Sequence, residues 1–147
     1  MPPIKLKKVV SVSSEDSNHQ AENLLDYGFR TKWKCKSASD KEISVVIELE
    51  KPSKILSVDI CNENSAFIEI LVGRSESPAD FEVLLKKSTL MTAEDAKTGK
   101  GVNNNKYFTS DALCTKIRDE RWDLVKLVCS QPYLSTQYGL SFVVFSD

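Results

Sequence analysis

The sequence predicts an all-β fold, an antiparallel two-layer β-sandwich or jelly roll in which helices are minor and accessory. About seven to nine short segments alternate between apolar and polar residues, or run apolar over strand lengths. Turn residues such as proline, glycine and asparagine separate these segments. The chain lacks the strand–helix–strand rhythm of a parallel sheet, which favours packed antiparallel sheets. We expect one such domain over residues 1–147.

Five predicted strands occupy the first half of the chain, over residues 4–10, 30–36, 43–50, 55–61 and 65–73. In the first, Ile4 and Leu6 alternate with Lys5 and Lys7, which indicates a strand with one solvated face. The third alternates cleanly and indicates a half-buried strand. Lys51-Pro52-Ser53 predicts a turn after the third, and Asn62 to Asn64 predict another before the fifth.

The segment 65–73 has apolar side chains on both of its faces. Successive residues of a strand point to opposite sides, so the even positions are predicted to enter the core: Ala66, Ile68, Ile70 and Val72. The odd positions Phe67, Glu69 and Leu71 then share the outer face. This combination suits either a second layer of protein or a docking partner.

Three further strands are predicted in the second half, over residues 81–85, 121–129 and 139–145. The segment 121–129 is apolar on both faces, which is typical of a central strand. In the segment 81–85, Phe81, Val83 and Leu85 compete with Leu84 for the core, so alternation leaves its faces open. The segments 74–80 and 97–106 are predicted to be loops.

Three helical segments are predicted. A Ser-x-x-Gln box at Ser17 predicts a helix over residues 18–25, and Thr92-x-x-Asp95 with Gly99 predicts a single helical turn. Ser110 is predicted to cap a helix over residues 111–119.

The densest positive cluster of the chain lies in the segment 30–36. If this segment is extended, Arg30, Lys32, Lys34 and Lys36 line one face and Trp33 anchors the other. Four cations in this spacing can neutralise several DNA phosphates, and a solvated strand face would have the same pattern.

Composition excludes several classes of protein. The chain is 41% hydrophobic and 28% charged, with a net charge of -1 and no apolar run near the ~20 residues of a membrane span. No secretory signal follows the basic start, so we expect an intracellular protein that contacts no membrane. The near-neutral charge means that nucleic-acid binding requires a local patch.

The sequence contains no pattern typical of an active site. The four cysteines are Cys35, Cys61, Cys114 and Cys129, whose spacing favours buried free thiols over a zinc site and leaves disulfides open. His19, the only histidine, lies in a capping segment, and phosphate-binding glycine motifs are absent. We therefore expect a protein that is not an enzyme and uses no metal, cofactor or small-molecule substrate.

Longer stretches of the sequence resemble a known family. They begin with Val9-Val10-Ser11, Ala21-Glu22-Asn23-Leu24-Leu25 and Ile43-Ser44-Val45-Val46, and continue with Ser57-Val58-Asp59-Ile60, Ser65-Ala66-Phe67 and Leu71-Val72-Gly73. They end with Arg121-Trp122-Asp123, Val128-Cys129-Ser130-Gln131-Pro132-Tyr133 and Gly139-Leu140-Ser141-Phe142-Val143. In this order they resemble the amino-terminal domain of the X-ray repair cross-complementing scaffold protein, over essentially the whole chain.

This resemblance implies a sandwich of the galactose-binding, discoidin-like type, in a nuclear scaffold of base excision and single-strand break repair. It implies the amino-terminal module of a longer scaffold, which docks DNA polymerase beta and binds nicked or gapped DNA. By position it implies a polymerase-binding set consisting of Phe67, Glu69, Val83 and Lys106. Arg30, Lys32, Lys34 and Lys36 are our candidates for DNA contact.

Two departures from the family pattern concern function. Some members have cysteines where this chain has Val12 and Gln20, so a redox switch that uses that pair is absent. Lys106 replaces an arginine, which keeps the charge but loses the planar bidentate donor.

An alternative from another class is a sandwich module that binds a glycan or other small ligand at its loop tips. Such a site would need a cluster of aromatic side chains in loops. Trp33, Tyr133 and Tyr138 are the candidates for it.

Overall fold

The structure is a computed structural model, and it describes residues 3–25, 32–100 and 103–147. Nine strands lie within these ranges: Leu6–Val12 (β1), Trp33–Lys34 (β2), Glu42–Ser53 (β3), Ser57–Glu63 (β4), Phe67–Arg74 (β5), Ser77–Thr89 (β6), Asn105–Phe108 (β7), Trp122–Ser130 (β8) and Gly139–Ser146 (β9). Every pairing between them is antiparallel. The helical elements are one α-helix, Ala93–Thr98 (α1), and two 3₁₀ turns, Ala21–Leu25 and Ser110–Ala112.

The strands form two sheets, which confirms the predicted sandwich. The five-stranded sheet has the order β1-β3-β8-β5-β6, and the four-stranded sheet has the order β2-β9-β4-β7. Their inner faces share one hydrophobic core, to which Ile43 and Ile70 contribute from the first sheet and Ile60 and Val143 from the second. β8 lies in the middle of the five-stranded sheet, as its two apolar faces predict.

Alternation along β5 is as predicted. Ala66, Ile68, Ile70 and Val72 are fully buried, whereas Phe67 and Glu69 are partly exposed on the other face. The helical turn α1 is also confirmed, since Thr92 and Asp95 form both hydrogen bonds of a capping box and Gly99 ends the helix with φ 76°.

The helix predicted over 18–25 is observed as a shorter 3₁₀ helix, Ala21–Leu25. The helix predicted over 111–119 is observed only as the 3₁₀ turn Ser110–Ala112. Near residue 18 the capping groups are carboxylates: Glu15 accepts the amide N–H of Ala21, and Asp16 accepts that of Asn18. In the second segment the Cys114 N–H donates to Leu84 O at 2.7 Å, which draws the chain onto the edge of β6 before a helix can continue.

Several predicted boundaries are also corrected. Of the strand predicted over 30–36, residues 30 and 31 lie outside the described ranges, and residues 32–36 contain strand only in β2. After β2, Ser14 Oγ and Asp40 accept the amides of Lys36 and Ser37 and bend the chain. The predicted turn at Lys51-Pro52-Ser53 is strand, since β3 continues until Ser53 pairs with Trp122.

The predicted loops over 74–80 and 97–106 each contain part of a strand. A tight turn at residues 75–76 returns the chain, so that Ser77 already pairs with Arg74. In the second segment Asn105 begins β7, which pairs with β4.

Candidate docking face and cationic cluster

The outer face of the five-stranded sheet gathers most of the predicted docking residues. Strand register places Leu71 of β5 opposite Val83 of β6, and Glu69 opposite Val128 of β8. Val83 is therefore on the same face as Phe67 and Glu69, and it is 40% exposed. Since Leu84 and Leu85 are both buried, a register irregularity in β6 settles the ambiguity that alternation leaves open.

Phe67 is fixed from two sides. Its ring lies 5.9 Å from the ring of Tyr133 at an interplanar angle of 54°, and Lys87 Nζ lies 4.9 Å from its centroid. Gln131 fixes the loop that carries Tyr133: its Nε2 donates to Asn64 O at 2.7 Å, and its Oε1 accepts from Tyr133 N at 3.0 Å. An aromatic side chain held in this way loses little conformational entropy when a partner covers it.

A groove continues from Val83 past the edge of β6. It has a volume of about 510 Å³ and is lined by residues of β6 and of the segment that crosses its edge, among them Val83, Lys86, Leu113, Cys114 and Lys116. Its lining combines apolar side chains with charged ones of both signs, including Asp111.

Lys106 lies apart from the other three predicted docking residues. It is on β7, at the edge of the four-stranded sheet, where it pairs with Ile60. Asn104, two residues earlier, donates to Leu90 O just after the end of β6. Lys106 is exposed.

The cations predicted over residues 30–36 are only partly available for DNA contact, because two of them lie close to a carboxylate. Trp33 and Cys35 are fully buried, as predicted, whereas Lys32, Lys34 and Lys36, which alternate with them, are partly or fully exposed. Lys32 Nζ lies 3.0 Å from Glu63 Oε2, and Lys34 Nζ lies 3.9 Å from Glu63 Oε1. Lys36 is exposed, and Arg30 lies outside the described residues.

Sequence reasoning missed Glu63 and Tyr133 as parts of these surfaces. Glu63 is about thirty residues from the lysines that it contacts, inside a segment with the composition of a turn. The sequence feature that could have indicated Tyr133 is its position after Pro132, in a loop where Gln131 can form hydrogen bonds that fix the backbone. Neither contact can be read from local periodicity.

His19 braces the chain. Its Nδ1 lies 2.7 Å from Asp16 Oδ2, and Gln137 Nε2 contacts Asp16 Oδ1 at 3.3 Å. The hydrogen bond from His19 is the main reason that the pKa of Asp16 is lowered. These contacts link the turn after β1 to the segment before β9, which is a structural role.

All four cysteines are free thiols. Cys35 and Cys129 are buried, as predicted, whereas Cys61 and Cys114 are half-buried. Burial raises the pKa of Cys35, Cys61 and Cys129, that of Cys129 to about 12. These thiols are correspondingly poor nucleophiles in the native protein.

The aromatic cluster suggested for a glycan site does not form. Trp33 and Tyr138 are fully buried in the core, and Tyr133 packs on Phe67. Among the described residues no group of three or more potential ligands is placed to hold a metal ion. Within those same ranges no helix has the length and apolar character needed to cross a membrane.

The antiparallel sandwich has the fold of a class of carbohydrate-binding modules. A chitosan-binding module of a Paenibacillus chitosanase/glucanase shares the fold over the whole of both chains, with a TM-score of 0.74 at 15% identity. A family 32 carbohydrate-binding module from C. perfringens, in complex with galactose, matches 92% of this chain with a TM-score of 0.67 at 18% identity. These likenesses describe the fold alone.

Sequence comparison identifies the family. The model of the XRCC1 N-terminal domain matches residues 1–145. The chain is 48% identical to the DNA repair protein XRCC1 of Rattus norvegicus and of Homo sapiens, over 99% of this chain and 24% of each relative. The chain belongs to the XRCC1 N-terminal domain family, and it spans about a quarter of the length of these curated relatives.

Two solved structures of this family are similar to the chain throughout. One is reduced XRCC1 bound to the DNA polymerase beta catalytic domain, with a TM-score of 0.94, 47% identity and 99% coverage of both chains. The other is the solution structure of the N-terminal domain of the single-strand break repair protein XRCC1, with a TM-score of 0.91 at 47% identity over the whole of both chains.

Proposed function

We propose that this domain is a non-catalytic scaffold module of nuclear DNA repair that docks a gap-filling polymerase, DNA polymerase beta, and binds nicked or gapped DNA. The observation that carries the proposal is the exposed face of the five-stranded sheet, in a chain 47% identical to a relative solved in complex with that polymerase. We further propose that residues 1–147 act as one module, the amino-terminal part of a longer scaffold for base excision and single-strand break repair.

In the proposed docking mode, Phe67 is the apolar anchor. Packing by Tyr133 and Lys87 fixes its ring, and Val83 extends the apolar surface across β6. Rigid aromatic anchors at the centre of an interface supply much of the binding free energy. Glu69, half-buried beside Val128, provides a carboxylate for a cation of the polymerase, and Lys106 provides a contact at the rim.

The proposed mechanism is juxtaposition. A domain that holds the polymerase on one sheet and the strand break on another surface raises the local concentration of enzyme at its substrate. The basic segment of residues 30–36 is the proposed DNA contact. Its cationic residues are Arg30, Lys32, Lys34 and Lys36.

The docking proposal is tested by calorimetric titration of the wild type and Phe67→Ala with the polymerase catalytic domain. Loss of the anchor is expected to weaken binding by about 2 kcal/mol or more, roughly thirtyfold. Val10→Ala truncates an exposed apolar residue on the opposite edge of the same sheet and should bind like the wild type. Equal affinities for all three folded proteins would reject the docking face.

The DNA proposal is tested separately, with a gapped duplex and an intact duplex of the same sequence. If the basic segment contacts phosphates, log affinity for the gapped duplex should fall with log salt at a slope of roughly -2 to -4. Equal binding to both duplexes, or a flat salt response, would reject a break-binding role.

A further inference from the structure

Glu63 lies between the two lysines of the proposed DNA contact. Its side chain is only 9% exposed, whereas those of Lys32 and Lys34 are 34% and 21% exposed. Ser141 Oγ donates to Glu63 Oε2 at 3.1 Å, the same oxygen that lies 3.0 Å from Lys32 Nζ. The carboxylate is therefore held from below by the sheet and faces the two ammonium groups.

The strand register explains how residues of non-adjacent strands meet. β9 separates β2 from β4, and its Gly139 pairs with Lys34 on one side and with Glu63 on the other. Glycine has no side chain to place between them, so a lysine of β2 reaches across β9 to the carboxylate. An irregularity in the register of β4 between Cys61 and Asn62 accompanies this arrangement.

The backbone beneath both lysines is also fixed. Asn23 Nδ2 donates to Lys32 O at 2.8 Å, and the backbone of Lys34 bonds to His19 O and to Asp16 N. The main chain at both lysines is thus pre-positioned, and the freedom left to the ammonium groups lies in their side-chain rotamers.

We infer that Glu63 occupies the place of a phosphate in the free domain and limits its affinity for DNA. A phosphodiester that binds Lys32 and Lys34 must compete with this carboxylate for the two ammonium groups. The competition lowers the affinity of the domain for DNA. This inference rests on the proposed DNA-binding function. The cost of displacing the carboxylate is the same for a gapped and an intact duplex, so it lowers the affinity for both.

The test compares Glu63→Gln with the wild type by fluorescence anisotropy on gapped and intact duplexes. Glutamine keeps the shape and the acceptor for Ser141 but frees both lysines, so affinity for both duplexes is expected to rise about two- to fivefold, with a steeper salt dependence. The ratio of the two affinities is expected to stay unchanged, because both duplexes must displace the same carboxylate.

Asp59→Asn is the matched control. It removes the same charge from β4 at a position paired with Tyr107 and Val144, away from the two lysines. Less than a twofold change is expected, because only a screened long-range effect remains. If both variants change affinity equally, Glu63 has no special role and the inference is overturned.

A measurement on the wild type makes the test independent of how Glu63→Gln folds. On saturation with the gapped duplex, the side-chain NMR signals of Lys32 and Lys34 are expected to shift together. If the duplex binds while these signals stay unchanged, the inference fails, and the domain must bind DNA through another surface. If the wild type binds no gapped duplex, the DNA-binding proposal itself fails.

Discussion

The Phe67 and Tyr133 rings meet at 5.9 Å between centroids, with an angle of 54° between their planes. This pairs an outward residue of β5 with the loop that follows β8, across the end of the sheet. Tilted aromatic pairs at this distance are favourable beyond their apolar contact. Tyr133 is itself 41% exposed, so the pair presents one continuous aromatic surface.

Replacing Tyr133 by alanine is expected to weaken polymerase binding by about 0.5–1.5 kcal/mol, because Phe67 loses the ring that orients it. The comparison is calorimetry on Tyr133→Ala, Phe67→Ala and the double variant. If Tyr133 acts through Phe67, the two losses should be less than additive. Fully additive losses would show that the two rings act separately.

The exposed valines at opposite edges of the five-stranded sheet offer a matched pair of variants. Val83 on β6 is 40% exposed and Val10 on β1 is 48% exposed, so a glutamate is tolerated by the fold at either position. Val83→Glu is expected to weaken polymerase binding at least about tenfold, because docking would bury an unpaired charge. Val10→Glu should leave the affinity unchanged, and a comparable loss from both would indicate a nonspecific charge effect.

The sandwich and the faces of its central strands could be predicted from sequence because one buried face imposes a period of two. β3 and β5 show this most clearly, since a slip of one residue would move a buried set into solvent. Periodicity failed where the backbone formed a hydrogen bond with a partner outside the predicted helix. Glu15 and Asp16 replace the predicted capping box at Ser17, and the Cys114 amide binds Leu84 before a helix can form.

The same distinction applies to the candidate sites: some of their features follow from local alternation, and others depend on the topology of the fold. Alternation placed Phe67 and Glu69 on one face, but the exposed position of Val83 depends on an irregularity in β6 that the sequence does not signal. The pairing of Lys32 with Glu63 depends on two strands that are separated by a third. Contacts of this kind are set by topology, which local patterns do not contain.

Gly139 is expected to tolerate no side chain. A Cβ atom there would lie 1.9 Å from Trp33 O and 3.1 Å from Lys34 Cα, so β2 would have to move away from β9. Gly139→Ala is expected to lower the free energy of unfolding by about 2–3 kcal/mol in urea denaturation.

Gly99→Ala is the control for this prediction. Gly99 has φ 76° but open space around it, so alanine there should cost only about 1 kcal/mol of left-handed backbone strain. An effect of Gly139→Ala no larger than that of Gly99→Ala would mean that β2 adapts without cost.

Alkaline pH is expected to destabilise the domain through Cys129. Burial raises the pKa of its thiol in the folded protein from 9.0 to about 12, so at intermediate pH the unfolded chain loses a proton that the folded chain keeps. Stability from this group is therefore fully present below pH 9 and falls between pH 9 and about 12, by about 1.4 kcal/mol per pH unit. Cys129→Ala removes the group, so urea denaturation at pH 8 and pH 10.5 should show the stability gap between wild type and variant narrowing at the higher pH. A gap that is constant with pH would mean that Cys129 ionises as readily in the folded protein as in the unfolded chain.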